Sequence, residues 1–117
     1  MPIYVGYSDN RNFNEVRSLF DVNPNNPDRM ADFEIEFGSG YIDPGSYEIY
    51  DMDDFPGYQL NDEFVRRLFP FSIPDNIATQ IVTKGPKTFF FIKTEEHITK
   101  RVGLGLQILS EIEPQSP

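Results

Sequence analysis

The chain has no cysteine and no tryptophan in 117 residues, and a single histidine. Without cysteine there is no disulfide framework, no thiolate nucleophile and no Cys-based zinc or iron–sulfur site. Basic residues are also scarce, with 10 Lys and Arg against 19 Asp and Glu, a formal net charge of −9. A dedicated nucleic-acid binder must offer cations to phosphates, so this balance argues against that class and favours a basic partner or none. No apolar run approaches the roughly 20 residues of a membrane span, and Met1-Pro2-Ile3-Tyr4 lacks the basic-then-apolar layout of a signal peptide. The expectation is one soluble, cytoplasmic domain without a membrane partner or a cofactor. Aromatic residues, by contrast, are plentiful: six Tyr and eleven Phe exclude disorder over most of the length and predict a Phe-rich core.

The negative charge is not spread evenly. Residues 21–63 hold twelve acids against one base, Arg29, a net of −11, whereas residues 64–101 are net +4. Such a block creates a field that steers a basic partner, and Tyr41, Tyr47, Tyr50 and Tyr58 are interleaved with it. Tyrosine beside charge is the composition of interface anchors with a polar rim. The alternative is a solvated face with some tyrosines in the core.

Ile3–Tyr7 is β-branched and aromatic and reads as a strand. Asn12 with Glu15 three residues on forms a capping box, and Phe13, Val16, Leu19 and Phe20 follow at helical spacing. Asn23-Pro24-Asn25-Asn26-Pro27 is a loop. From Met30 to Phe37, apolar Phe33, Ile35 and Phe37 alternate with Asp32, Glu34 and Glu36; a half-buried strand is preferred, with a short helix after Pro27 the alternative. Tyr47–Tyr50 reads as a further strand, giving a hairpin or meander in the middle of the chain. Asn61 caps a helix that Pro70 stops, and Pro74 opens another ending near Gly85. Thr88–Thr94, apolar on both faces, is a central strand; Val102–Ile112 is a last one, with Gly103 and Gly105 marking a bulge or close backbone contact. The order predicts an α+β domain over residues 1–113, a mainly antiparallel sheet with about three short helices on one face, and a frayed tail at 114–117.

Little in this pattern supports catalysis. His97, in the presumed turn between the last two strands, reads as a solvated loop residue beside Glu95 and Glu96. A Gly-x-Ser-x-Gly elbow and a phosphate loop are both missing, and Gly103-x-Gly105 lacks the third glycine of a dinucleotide site. Asp51-x-Asp53-Asp54 could attract a hard cation, but Pro56 stands where an EF-hand needs glycine, so the cluster reads as interaction surface or solvated loop rather than a metal site. Arg66 and Arg67 read as the solvent side of a helix, and Lys87 and Lys93 as charged flanks of a hydrophobic strand.

Ile3-Tyr4-Val5-Gly6, Phe37-Gly38 followed by Tyr41 and Asp43, Tyr47-Glu48-Ile49-Tyr50, Phe89-Phe90-Phe91 and Val102-Gly103-Leu104-Gly105 occur in an order that resembles the immunity protein 22 family of bacterial polymorphic-toxin systems. Tyr4 stands where that family often has tryptophan. The resemblance implies a non-enzymatic antitoxin that binds a cognate toxin with a basic surface; many such toxins are nucleases, and carboxylates would stand where phosphates bind. On this reading the partner-binding residues are Asp43, Tyr47, Glu48, Tyr50, Asp51, Asp53, Asp54 and Tyr58. The alternative from another class is a phage-encoded inhibitor or nucleic-acid mimic that binds a basic host protein.

Overall fold

The computed structural model describes residues 2–113, so the tail at 114–117 lies outside the described residues. In chain order the elements are β1 (Ile3–Ser8), α1 (Phe13–Phe20), α2 (Asp32–Phe37), β2 (Tyr47–Asp51), α3 (Asp62–Leu68), α4 (Asp75–Lys84), β3 (Thr88–Lys93), β4 (Val102–Gly103) and β5 (Leu106–Ile112). The strands form one antiparallel sheet in the order β2-β3-β1-β5-β4. The α+β class read from the sequence stands.

The layering differs from the expectation of helices on one face. Side chains alternate along a strand, so β1 sends Ile3, Val5 and Tyr7 to one side and Tyr4 to the other. On the first side Val65 and Phe69 and, from α4, Ile77 and Ile81 pack over Phe89 and Phe91 of β3. On the other, Val16, Leu19 and Phe20 of α1 with Phe33 and Phe37 of α2 cover Phe90 and Ile92. Two pairs of helices therefore enclose the sheet, and β1 is buried throughout and β3 up to its last residue, Lys93, because both their faces are covered. Gly6 belongs to this arrangement. A Cβ there would lie 2.7 Å from Phe90 Cζ and 2.6 Å from the Gln107 carbonyl, so only glycine lets that ring lie against the central strand where β5 bulges.

Four further expectations are corrected. Residues 32–37 are helical, with Phe33 and Phe37 stacked at 4.4 Å on one face. There is consequently no hairpin in the middle: β2 pairs with β3, Tyr47 opposite Ile92 and Asp51 opposite Thr88. The last strand is a hairpin, β4 and β5 joined by Leu104 and Gly105, both at positive φ (56° and 76°) as a type I′ turn requires. Since β3 and β4 lie apart in the sheet, the segment carrying His97 is a crossing connection rather than a tight turn. It is pinned by buried Ile98, whose N–H donates to the Tyr4 hydroxyl (3.1 Å), and His97 itself is exposed.

Candidate interaction surfaces

The acidic block does not fold into one face. Asp51 and Tyr50, both expected at the interface, are interior. Asp51 Oδ2 accepts the Phe13 N–H at the start of α1 (2.8 Å) and Oδ1 accepts the Asp53 N–H (2.8 Å). The Tyr50 hydroxyl donates to the Leu68 carbonyl (2.9 Å), and burial pushes its pKa up. Tyr47 is half-buried and stacks on Phe20 (4.5 Å); burial, then the nearby Asp21 carboxylate, raises its pKa. Glu48 is exposed on β2.

Several other acids are answered locally. Glu36 pairs with Lys100, Glu63 with Arg67 (2.7 Å), and Arg66 reaches both Asp62 (3.9 Å) and Asp75 (2.8 Å). Asp43 Oδ1 accepts the Gly45 N–H (2.8 Å) and caps a single 3-10 turn. Asp21, Asp28, Glu48 and Asp54 are exposed and make no ion pair among the described residues. No group of three or more acidic or imidazole side chains converges on a metal-sized site among the described residues, because Asp51 turns inward, away from Asp54. No helix among them is long and apolar enough to cross a membrane.

The eight expected residues thus divide. Asp43 precedes β2, whereas Asp53, Asp54 and Tyr58 follow it, roughly 14 Å further on at about 3.4 Å per residue. After β2, Pro56 and Gly57 form a turn closed by the Tyr58 N–H donating to the Phe55 carbonyl (3.1 Å), with Gly57 at φ 84° as a type II turn demands. That turn sets the Phe55 and Tyr58 rings 6.3 Å apart and nearly perpendicular. Phe64, held in the first turn of α3 by the Asn61 cap, meets them at 5.3 and 5.5 Å. The three rings line a groove of about 460 Å³ whose far wall is the exposed Glu63–Arg67 pair. Tyr58 is 65% exposed there, with Asp54 close by in sequence and Asp53 paired to Lys87 (2.7 Å).

Tyr41 was noted among the tyrosines of the acidic block but not placed at the site, and neither Val22 nor Asp28 was singled out. All three stand at a second cleft, between α1 and the segment before β2. Beside it, the Asn26 and Asn23 side-chain amides donate to Asp32 Oδ1 (2.7 and 2.9 Å). These two bonds, Asn26 first, hold the Asp32 carboxyl below its ordinary value of 3.8. A carboxyl lowered in the folded state contributes stability that is full above its unfolded pKa and lost as pH falls through the folded one. The expected result is an NMR titration midpoint for Asp32 below 3.8 that moves up in Asn26→Ala.

Comparison with protein-family models, with curated proteins and with solved structures finds no match for the chain.

Proposed function

We propose that the protein is a non-catalytic binding protein that neutralises a basic protein partner in the cytoplasm, in the manner of an immunity protein acting on a toxin of nuclease type. The observation that carries this reading is the exposed Tyr58 seated against Phe55 and Phe64, in a groove that also holds the Glu63–Arg67 pair, with the exposed Asp54 four residues before it in sequence. A rigid aromatic cluster with a charged rim matches the anatomy of an interface anchor: the rings supply desolvated contact, and the exposed carboxylates of the acidic segment supply orientation and rate. Carboxylates laid over a cleft built for phosphate would occlude it.

The test is co-expression with the product of the adjoining reading frame. The expected result is growth arrest by that product alone and restored growth with this protein. Tyr58→Ala should weaken the complex by about 2 kcal/mol, near thirtyfold, mainly through faster dissociation. Asp54→Asn should chiefly lower the salt-dependent association rate. An adjoining product that leaves growth unaffected, or full protection and unchanged affinity when Tyr58→Ala and Asp54→Asn are combined, overturns the reading.

A further inference from the structure

We infer that the cleft between α1, the turn at Pro27–Arg29 and residues 41–44 is a second docking site, and that it takes an apolar side chain flanked by lysine or arginine from an extended segment of a protein partner. The inference rests on the binding-protein reading above, but the site is separate, at the other end of β2 from the Tyr58 groove.

The cleft holds about 630 Å³, within the range of roughly 300–1,000 Å³ typical of sites that enclose a ligand group. Its floor is apolar, formed by the buried residues Phe20, Ala31 and Ile42. Its rim carries Val22 (61% exposed) and Tyr41 (70% exposed), two of the five large apolar side chains exposed among the described residues. Scattered exposed apolar residues carry no message, but two on the rim of one apolar cleft make a contact surface.

Charge selects the occupant. Asp21 and Asp28 line the cleft without an ion pair, against the single cation Arg29, and Asp43 adjoins Tyr41 and Pro44 at its edge. An apolar side chain alone would leave those carboxylates unanswered; an apolar side chain between cations answers both floor and rim.

The rim is also held in an unfavourable backbone state. Asp28 and Arg29 are consecutive L residues in the left-handed region, at φ 54° and 57°. They are kept there by the Arg29 N–H donating to the Asn26 carbonyl (3.0 Å), the Met30 N–H to the Pro27 carbonyl (3.1 Å) and the Asn26 amide to the Met30 carbonyl (2.9 Å). Strain over-determined by its surroundings in this way characterises ligand clamps. Below the rim, buried Glu34 fastens the two walls together, accepting the Ala31 N–H on Oε1 (2.9 Å) and the Ile42 N–H on Oε2 (2.7 Å).

The experiment titrates the isotope-labelled full chain with a short capped peptide carrying one leucine between Lys and Arg pairs. Two control peptides replace the leucine with serine or the cations with glutamate. The expected result is saturable amide shifts centred on Val22, Arg29, Met30, Tyr41 and Ile42, with affinity at least tenfold weaker for either control peptide and for Tyr41→Ala protein. Tyr41 is exposed, so that variant keeps its fold, and Val102→Ser, an exposed apolar position on β4, should bind as wild type. Shifts spread over the acidic residues without saturation, or equal affinity for the serine peptide, would reduce the interaction to charge alone and overturn the proposal. Concentration-dependent shifts of the same amides without peptide would give the cleft to a second copy of this chain and overturn it equally. Because the peptides do not depend on the natural partner, the cleft and the neutralising activity can fail separately.

Discussion

Asp51→Ala is expected to destabilise the fold by about 3 kcal/mol, because it strands two partly buried N–H donors and removes an anion from a helix start. The carboxylate is 4% exposed and bridges elements far apart in the chain: the first N–H of α1, at Phe13, and the turn after β2, at Asp53. The Phe13 N–H is one of the helix's unpaired first-turn donors, so without Asp51 it has no intrahelical replacement. Asp51→Asn keeps one acceptor and should lose about half as much. Urea denaturation checks both, with the alanine midpoint falling by roughly 1–3 M at an unchanged slope. An interface residue would behave oppositely, leaving the midpoint where it was and weakening partner binding.

That contrast shows why the site was harder to read than the fold. Helix α1 announced itself through Asn12 and Glu15, and both reciprocal bonds of that capping box are present (2.9 and 3.1 Å). The Asn61 cap of α3 and the strands at 3–8, 47–51 and 88–93 were legible for the same reason: their signals are local. The covering of both sheet faces was missed, although a strand carrying Phe89, Phe90, Phe91 and Ile92 in succession needs apolar neighbours on each side and so spoke against helices on one face alone. Leu104-Gly105 concealed a hairpin because leucine rarely takes positive φ, so only Gly105 marked the turn. Asp51, Asp53 and Asp54 are neighbours in sequence, yet strand alternation and the turn after it send Asp51 inward and leave Asp53 and Asp54 outside. Charge counted along the chain does not report which carboxylates a backbone N–H or a lysine has already claimed.

Glu34→Ala is expected to cost a further about 3 kcal/mol, and it tests the segment whose sequence was most ambiguous. Phe33 and Phe37 satisfy a strand of period two and a helix of period 3.6 alike; the residues between them decide the matter. In a strand Ile35 would be buried and Glu34 exposed, but Ile35 is 46% exposed and Glu34 only 5%. What draws Glu34 inward is tertiary: the Ala31 N–H at the start of α2 and the Ile42 N–H eight residues on, in the wall of the second cleft. Alanine removes both acceptors, leaving two buried donors unpaired and the wall at 41–44 unlatched. Glu34→Gln retains one acceptor but turns an amide N–H toward a donor, so it should recover about half of the loss. Denaturation midpoints give the stability, and hydrogen exchange at Ala31 and Ile42 gives the location. Faster exchange confined to those amides under conditions where the variant stays folded is the expected pattern. Under the same conditions the leucine peptide should bind more weakly, since the cleft then loses the latch between its floor at Ala31 and its rim at Tyr41. Equal exchange and equal peptide affinity would mean that the cleft is held by the Asp28–Arg29 turn alone.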